Sequence, residues 1–452
     1  MKVIILAGGG GTRLFPLSRT DLPKQFLKID GKKSLLAQTV RRFLPIVSPK
    51  DIVIVTGQKY FHHVQYELAE VGAAGAHILQ EPVGRNTAPA IALAARFCLD
   101  MLGADSGEVL FVTPSDHIIR PAESFLAVVR QGVAAAKDKI VTFGIKPDKP
   151  ETGYGYIQAG KQVGDSYHVS SFREKPDKKT AQEYLNAGNY YWNSGMFSFT
   201  IGCLLEELSL HQPQLYNIID RNFESAMSNF ADMPDISFDY AIAENSAKVV
   251  TIPLTAYWND IGSWDAIYDV LEKDSDGNAL RGDCLPLECS HTLMLGRSRL
   301  LAGIGLKDLL VVETDDVILV AKKGESQKVK DLVGDLRKLG RREADRHTTV
   351  FRPWGTYTIL GEGRGYRIRK VMVAPGHGLS LHLHYHRSEH WVVIGGTARI
   401  IIDDTEQMVH RNESIFIPAA AKHRLDNPGK LSLEIIEVQN GDYLEEDDIV
   451  RF

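Results

Sequence analysis

The sequence has few cysteines, and their spacing excludes two common kinds of structural site. Only four cysteines occur among 452 residues: Cys98, Cys203, Cys284 and Cys289. No two of them form a Cys-x-x-Cys pair. Disulfide frameworks of small secreted domains and Cys-ligated zinc modules both depend on closely spaced cysteines. We therefore expect four reduced thiols in a cytoplasmic protein.

Long hydrophobic runs and an excess of basic charge are also missing. No stretch reaches the roughly 20 apolar residues that span a bilayer. The apolar residues 1–7 lack the basic start and the cleavage site of a signal peptide. The net charge of -5 provides no basic surface for nucleic acid. We therefore expect neither a membrane nor a nucleic acid as partner. The sequence does not determine the oligomeric state, and it is compatible with a homo-oligomer.

What is present is a long chain whose pattern changes twice. Strand-like and helix-like segments alternate through residues 1–273, which predicts βαβ units and a Rossmann-like doubly wound α/β domain. Residues 274–345 contain short strand-like pieces followed by a charged, helix-like segment. We expect a small β-rich connector, for which a few coils of β-helix are one possible structure, and then a helical linker. Residues 346–452 are nearly all short strands and predict a small β-barrel or sandwich.

A run of glycines follows the first predicted strand. Residues 8–11 are all glycine, and Thr12 and Arg13 come next. Glycine lets backbone N–H groups approach a phosphate closely. The run is not a Walker A loop, because no Gly-Lys-Ser/Thr follows, and Arg13 stands where a dinucleotide-binding fingerprint has its third glycine. Arg13 as a planar fork and Lys24 as a point charge suit a triphosphate.

Seven motifs follow one another in the first 264 residues. They are GGGGTRLFPLS at 8–18, PKQF at 23–26, EPVGRNTAPA at 81–90, PSDH at 114–117, EKP at 174–176, WNSGMF at 192–197 and WNDIGSW at 258–264. In this order they resemble the nucleotide-sugar pyrophosphorylases, in the branch of the mannose-1-phosphate guanylyltransferases. Two residues depart from that branch. Gly10 stands where the branch usually has Ser, so a side-chain hydroxyl near the nucleotide is absent. Phe15 stands where it usually has Trp, which changes the packing.

This resemblance implies a nucleotidyltransferase that makes GDP-mannose from GTP and mannose-1-phosphate. It implies that Arg13 and Lys24 neutralise the triphosphate and the transition state, and that Asp116 and Asp260 hold Mg²⁺. The implied nucleotide contacts are Gly8, Gly9, Gly11, Thr12, Arg85 and Asn86. The implied sugar-phosphate contacts are Gly155, Glu174, Lys175 and Asn193. Nothing in the residues themselves separates guanine from another base, so the choice of GTP rests on the resemblance.

Histidine is concentrated in one short segment near the end of the chain. Seven of the 15 histidines lie between residues 377 and 423. Such clustering points to metal or acid–base chemistry. On a strand, His382, His384 and His386 would point to one face, because side chains alternate with period two. Two of them and a carboxylate could then converge on one cation.

The spacing in this segment resembles the two cupin motifs. Gly-x5-His-x-His-x4-Glu-x6-Gly runs from residue 376 to residue 396, and PAAAKHRLDN at 418–427 resembles Pro-x-Gly-x-x-His-x3-Asn. Ala420 and Asn412 stand where glycines are usual, so those turns differ. The resemblance implies a C-terminal cupin β-barrel with one divalent metal ion. The implied metal ligands are His382, His384, Glu389 and His423.

The segment SLHLHYHRSEHW at 380–391 resembles the type II phosphomannose isomerases more closely still. Those enzymes are fused to guanylyltransferases and usually have Gln in place of His382 and His in place of Tyr385. A third imidazole shifts the expected metal toward borderline ions such as Zn²⁺ or Co²⁺. The resemblance implies interconversion of mannose-6-phosphate and fructose-6-phosphate through a metal-stabilised enediolate.

Several residues are candidates for moving the proton in that reaction. Arg387 is a candidate partner of the phosphate or the enediolate. The general base is open among His386, His390 and a glutamate, and we select Arg387 and His390 as catalytic candidates.

The sequence therefore predicts a bifunctional enzyme of GDP-mannose and polysaccharide biosynthesis. One alternative is a monofunctional guanylyltransferase whose cupin is a non-catalytic binding or assembly module. Another is a transferase for a different sugar or nucleotide. An isomerase assay with added divalent metal separates the first two.

Overall fold

The computed structural model describes residues 1–29 and 31–452, which divide into two units. The first unit contains Met1–Leu295, Leu300–Val312 and Leu319–Val333. The second contains Gly296–Arg299, Glu313–Ile318 and Gly334–Phe452. Within the described residues, no helix has both the length and the apolar character needed to cross a membrane.

Up to residue 273, the described part of the first unit contains eleven strands. They are β1 (Lys2–Leu6), β2 (Ile52–Gly57), β3 (His77–Glu81), β4 (Val109–Pro114), β5 (Ile118–Arg120), β6 (Ile140–Ile145), β7 (Tyr156–Val163), β8 (Ser166–Arg173), β9 (Tyr190–Thr200), β10 (Val249–Pro253) and β11 (Tyr257–Asn259). Nine of them form one sheet in the order β3-β2-β1-β4-β9-β6-β10-β8-β7, and β5 pairs with β11.

The large sheet is mixed rather than wholly parallel. Strands β3, β2, β1 and β4 run parallel, as the βαβ pattern predicts. Strand β9 lies antiparallel between β4 and β6. The expectation of parallel units therefore holds for one half of the sheet, and β9 reverses the direction where the halves join.

Helices cover both faces of this sheet. They are α1 (Leu35–Phe43), α2 (Phe61–Glu70), α3 (Thr87–Met101), α4 (Ala122–Ala135), α5 (Lys178–Ala187), α6 (Ile201–His211), α7 (Pro213–Ile219), α8 (Phe223–Ser228) and α9 (Trp264–Val270). Alternate residues of β1 enter two different cores: Ile4 packs with α3, and Val3 and Ile5 pack with α1 and α4. A strand covered on both faces reads as a continuous apolar run, which explains Lys2–Leu6.

Short strands that stack in parallel follow α9. They are β12 (Ala279–Arg281), β13 (Cys284–Leu287), β14 (Leu293–Leu295), β15 (Leu301–Ile304), β16 (Leu309–Glu313) and β17 (Ile318–Lys322), and α10 (Val329–Lys338) comes next. The pairs β12–β14, β14–β16 and β13–β15 are all parallel. Successive parallel pairs of such short strands are the pattern of a β-helix, which confirms the predicted connector.

The second unit contains eleven strands in two antiparallel sheets. They are β18 (Thr349–Arg352), β19 (Gly355–Gly363), β20 (Tyr366–Val373), β21 (Gly378–His384), β22 (Arg387–Gly395), β23 (Thr397–Ile402), β24 (Thr405–His410), β25 (Ser414–Ile417), β26 (His423–Asp426), β27 (Leu433–Gly441) and β28 (Ile449–Arg451). The sheet orders are β18-β19-β20-β27-β22-β25 and β24-β23-β26-β21-β28. Trp391 and Ile435 of one sheet share a core with Ile400 and Leu425 of the other, which confirms the predicted small all-β domain.

Candidate active sites

A cavity of about 440 Å³ opens at the carboxyl ends of the parallel strands in the first unit. Its wall includes the glycine loop after β1, the end of β3 and residues 114–116 after β4. Doubly wound sheets bind their ligands at this edge. Of the predicted nucleotide contacts, this cavity brings together Gly8, Gly9, Gly11, Arg85 and Asn86.

The glycine loop is held in place by side chains below it. Gln25 donates hydrogen bonds from Nε2 to the carbonyls of Ala7 (2.9 Å) and Gly9 (3.2 Å). A Cβ on Gly8 would lie 2.7 Å from Oε2 of Glu81, so a larger residue at position 8 would displace that carboxylate. The loop therefore lies against Glu81, which the motif search did not single out as a site residue.

Glu81 is a buried carboxylate with no partner. It is 8% exposed, and no hydrogen bond or ion pair to it exists within residues 1–29 and 31–452. Burial raises the pKa of Glu81 to about 7. A carboxylate in such a position is costly to ionise unless a ligand supplies donors.

A second cavity of about 420 Å³ shares Gly11, Lys24 and Asp116 with the first. Its wall also contains Thr12, Arg13, Asp260 and Lys330. Arg13 is exposed, and Lys330, an exposed residue of α10, was not predicted because its charged helix carries no motif. The structure thus brings the two predicted cations and the two predicted metal carboxylates to one cavity.

Lys24 connects the two carboxylate residues. Its Nζ lies 2.8 Å from Oδ2 of Asp116 and also donates to the backbone carbonyl of Asp260. Oδ1 of Asp260 accepts from the Tyr154 hydroxyl at 2.7 Å. Burial acts to raise the pKa of Asp116, but the charges of Lys24 and His117 and the hydrogen bonds to the carboxylate together outweigh it, so the net direction is downward. Two carboxylates on one cavity wall are a donor set that fits Mg²⁺.

The predicted sugar contacts also touch one another. The Asn193 N–H donates to the Gly155 carbonyl (2.8 Å), and a Cβ on Gly155 would lie 2.5 Å from Oε2 of Glu174. Lys175 Nζ lies 2.8 Å from Oε1 of Glu174, and the Lys175 side chain is 57% exposed. These four residues form one polar group between the ends of β7, β8 and β9.

Asp239 joins this polar group, although no motif in the sequence pointed to it. Asn193 Nδ2 donates to Oδ1 of Asp239 at 2.6 Å, and Asp239 lines the 440 Å³ cavity. Burial, helped by the Glu174 charge, raises the pKa of Asp239 to about 6. The residue begins a short π-helical segment, Asp239–Ala243, a feature common near functional sites.

In the second unit, three histidines converge as their spacing predicts. His382 and His384 lie on β21 and His423 on β26, and their candidate ligand nitrogens all lie within 4.8 Å of one another. We call these three residues the histidine cluster. Nδ1 of His382 contacts the Ser380 carbonyl (2.7 Å), and Nδ1 of His423 contacts the Ala421 carbonyl (2.9 Å). Such carbonyl contacts place the proton on Nδ1 and leave Nε2 free for a metal.

The chemistry of the histidine cluster fits a divalent ion. Nε2 of His423 is buried and has no partner among the described residues. Burial and the neighbouring His423 lower the pKa of His382 to about 4, so its imidazole is neutral at physiological pH. Neutral, buried imidazoles with free nitrogens are suited to borderline metals such as Zn²⁺.

Glu389 lies beside the histidine cluster and is strongly hydrogen-bonded. Its Oε1 is 3.2 Å from Nε2 of His384, and its Oε2 is 3.9 Å from Nε2 of His423. Trp391 Nε1 donates to Oε2 (2.9 Å), and Gln439 Nε2 donates to Oε1 (3.2 Å). Burial acts to raise the pKa of Glu389, but the adjacent histidines and Arg387 hold it well below its usual range.

Arg387 is buried next to Glu389 rather than at the mouth of the cavity. Its Nε donates to Oε1 of Glu389 (3.3 Å), and Nη1 donates to the Glu445 carbonyl (3.2 Å). Arg387 is 2% exposed. The predicted catalytic arginine therefore contacts the carboxylate that lies beside the histidine cluster.

Two other predicted histidines do not face this cavity. His390 follows Glu389 on β22, so its side chain points to the opposite, exposed face. His386 lies beyond the end of β21; its side chain is 62% exposed and its Nδ1 contacts Asp448 at 2.8 Å. These positions correct the selection of His390 as catalytic and the expectation that His386 shares a face with His382 and His384.

Comparison with known proteins gives a consistent result over the whole chain. Residues 2–277 match the nucleotidyl transferase family, residues 282–336 the MannoseP isomerase/GMP-like beta-helix domain, and residues 339–452 the mannose-6-phosphate isomerase C-terminal family. These matches confirm the resemblance of the N-terminal part to nucleotidyltransferases and of the C-terminal part to phosphomannose isomerases. They also confirm the β-helix connector.

Full-length relatives and one solved structure agree with those matches. The chain is 46% identical to the xanthan biosynthesis protein XanB of Xanthomonas campestris, over 99% of this chain and 97% of the relative. It is 40% identical to a mannose-1-phosphate guanylyltransferase of Escherichia coli, over 99% and 97%. The solved structure of a mannose-1-phosphate geranyltransferase of Thermus thermophilus matches with a TM-score of 0.69 and 32% identity, covering 74% of this chain and 99% of that one.

Proposed function

Because the chain belongs to the family of bifunctional-type mannose-1-phosphate guanylyltransferases with a fused isomerase domain, we propose that it catalyses both reactions. The first is GDP-mannose synthesis from GTP and mannose-1-phosphate. The second is interconversion of mannose-6-phosphate and fructose-6-phosphate. Relatives named for xanthan and alginate biosynthesis suggest that the GDP-mannose supplies a polysaccharide. These substrates are cytoplasmic metabolites, so we assign the enzyme to the cytoplasm.

In the proposed transfer, a phosphate oxygen of mannose-1-phosphate attacks the α-phosphorus of GTP, and the bond to the leaving pyrophosphate breaks. The N–H groups of the glycine loop and Arg13 bind the phosphates. Asp116 and Asp260 would hold Mg²⁺, which when bound neutralises phosphate charge. Lys24, already beside both residues, stabilises the charge that develops on the phosphoryl oxygens.

The 440 Å³ cavity also favours guanine as the base. Glu81 offers two acceptor oxygens and no competing protein donor. Guanine presents two adjacent donors, N1–H and the 2-amino group, whereas uracil and thymine present a donor between two acceptors. A carboxylate therefore matches the guanine edge and opposes the others.

The proposed isomerisation moves a proton between C1 and C2 of the sugar phosphate. The histidine cluster and Glu389 would hold a divalent ion, such as Zn²⁺ or Co²⁺, which when bound polarises the carbonyl. Arg387 orients Glu389 and balances its charge. Glu437 is a buried acid in the same cavity, and burial together with the Glu389 charge raises its pKa to about 8. Glu437 can therefore hold or release a proton near neutral pH, and we propose it as the general base.

The observation that carries the second activity is the histidine cluster with free, buried nitrogens. A non-catalytic cupin would have no need of three converging imidazoles. The test is to incubate the purified, metal-loaded chain with mannose-6-phosphate and to measure fructose-6-phosphate. Formation of the ketose supports the bifunctional assignment; no turnover with Zn²⁺, Co²⁺, Mn²⁺ or Mg²⁺ would leave the guanylyltransferase with a binding module.

A further inference from the structure

The cavity of the isomerase domain contains more positive charge than the metal site uses. It has a volume of about 430 Å³, with His382 and His384 on its wall. Four arginines also line it: Arg352, Arg369, Arg387 and Arg451. A cavity with several guanidinium groups and a cluster of metal-ligating nitrogens can hold an anionic group and a reacting carbonyl of one substrate.

Two of these arginines already have acceptors. Arg352 donates from Nη2 to both carboxylate oxygens of Glu446, at 2.8 and 2.9 Å. Arg387 donates to Glu389 and to the Glu445 carbonyl. Arg387 is thus directed to Glu389, and Arg352 is positioned by Glu446 through Nη2.

Arg369 differs from both. It is 8% exposed, yet its guanidinium donates no hydrogen bond to any residue that the structure describes, and its Nε is fully buried without a partner. The nearest carboxylate oxygen, Oε1 of Glu437, lies 3.8 Å from Nη1, and that oxygen accepts from Gln439 at 2.6 Å instead. A buried guanidinium without an acceptor is unfavourable until an anion supplies one.

Arg369 and Arg352 contact the same aromatic ring. Its guanidinium carbon lies 4.6 Å from the centre of the Tyr357 ring, and that of Arg352 lies 5.7 Å from the same centre. The hydroxyl of Tyr357 donates to Glu446, which also binds Arg352, so Arg352 is held at the same ring that Arg369 contacts. Both arginines also line the 430 Å³ cavity, where a guanidinium can donate to the oxygens of a bound phosphate.

We propose that Arg369, assisted by Arg352, binds the phosphate monoester of the sugar substrate in the isomerase cavity. The inference rests on the proposed isomerase function and specifies how that site recognises a phosphorylated rather than a free sugar. Arg387, buried at Glu389, is then a residue that orients Glu389 and not the phosphate ligand.

The kinetic test replaces Arg369 by Met in the full-length, metal-loaded enzyme. Loss of a charge-assisted hydrogen-bond pair corresponds to roughly a 10- to 100-fold rise in KM for mannose-6-phosphate, with a smaller change in kcat. Metal content and GDP-mannose synthesis should stay at the wild-type level. Arg369→Lys should fall between the two, since it keeps the charge but not the planar fork. A KM within about twofold of the wild type in a folded Arg369→Met protein, as for a neutral surface change, would overturn the proposal.

The matched control is Arg367→Met on the same strand. Arg367 is also largely buried, but it donates to Glu362 and to the Leu444 carbonyl and does not line the cavity. Its replacement should leave KM unchanged. An equal rise in KM in both variants would assign the effect to the strand and not to a phosphate contact.

A binding experiment separates this proposal from the isomerase function itself. Inorganic phosphate is titrated calorimetrically into metal-loaded protein whose transferase site is filled with GDP-mannose. Binding to the wild type and roughly tenfold or more weaker binding to Arg369→Met would support the phosphate site even if the wild type showed no isomerase turnover, in which case only the proposed function would fail. No binding to the wild type, or equal binding to both proteins, would contradict the phosphate site.

Discussion

The two candidate active sites offer a metal ion different donor atoms. In the first unit, Lys24 is already paired with Asp116, and exposed Arg13 lies at the same cavity, so the site holds full charges of both signs before any ligand binds. In the second unit, three buried imidazoles converge next to the Arg387–Glu389 pair, and the pKa of His382 lies near 4. Oxygen donors beside side-chain cations suit Mg²⁺ and a triphosphate, whereas fixed nitrogen donors suit one tightly held borderline ion.

Under the proposed function, this difference would let one chain run two metal-dependent reactions without exchanging their ions. Selectivity follows from donor type and rigidity rather than from affinity alone. Each site can then be disabled without touching the other, and the following predictions rank the expected effects.

The largest effect is expected from Lys24→Ala. This change removes the cation next to both carboxylate residues, and we expect GDP-mannose synthesis to fall by about 10³-fold or more, as when a key transition-state donor is lost. Isomerisation should be unchanged. Lys28→Ala is the control, because Lys28 is exposed and contacts Glu70 on the surface. Parallel loss of both activities in a folded Lys24→Ala protein would argue against two separate sites.

The next effect is expected from His423→Ala in the other site. Removing one of three nitrogens should lower bound metal and reduce isomerase activity by about 100-fold or more, since even outer-shell changes at metal sites cost 10- to 100-fold. Metal analysis and both activity assays check this. His410→Ala, at an exposed position on β24, is the matched control. Full metal content in His423→Ala would exclude His423 as a ligand.

A smaller, pH-dependent effect on stability is expected from Glu81→Gln. Folding raises the pKa of Glu81 to about 7 from an ordinary value of 4.5, so the folded protein binds the proton more tightly than the unfolded chain. That contribution is fully present below about pH 4.5 and is lost as the pH rises through about 7. Without nucleotide, Glu81→Gln should therefore be more stable than the wild type by roughly 1–3 kcal/mol at pH 8, and by much less at pH 5.

Unfolding curves of the transferase transition at both pH values measure this difference. Glu123→Gln, an exposed change on α4, controls for loss of one surface charge. A stability difference that is the same at pH 5 and pH 8 would contradict the burial of an unpaired carboxylate at Glu81.

The smallest effect is expected from His390→Ala. Its side chain lies on the outer face of β22, so isomerase kcat and KM should stay within about twofold of the wild type, as for most surface changes. Steady-state kinetics decide the point. A loss of kcat of about 100-fold or more, the size expected when a general acid or base is removed, with intact metal content would restore His390 as a catalytic candidate.

Local patterns were sufficient for much of this structure. The βα alternation predicted the parallel half of the large sheet, and the His-x-His spacing placed His382 and His384 on one face of β21. The outward direction of His390 was also readable, because a strand that turns Glu389 inward must turn the next residue outward. His386 was misjudged because β21 ends at His384, and strand ends are poorly determined by short patterns.

Long-range pairing explains what the sequence did not reveal. The antiparallel position of β9 depends on partners far along the chain, and no local pattern encodes it. Arg369 and Glu437 face one another because β20 and β27 pair in that register. Asp239 reaches Asn193 across 46 residues, and a lone aspartate carries no motif. Such residues become visible only when the strands are assembled.

The central claim is that one chain carries two active sites with different metal chemistry. The most direct test removes all metal with a chelator, returns Mg²⁺ or Zn²⁺ separately, and measures both activities in the same samples. We predict that Mg²⁺ restores GDP-mannose synthesis, that Zn²⁺ restores isomerisation through one bound ion per chain, and that His423→Ala abolishes only the second recovery. Two results would contradict this claim: recovery of both activities by Mg²⁺ in His423→Ala, or isomerisation in the absence of any added metal.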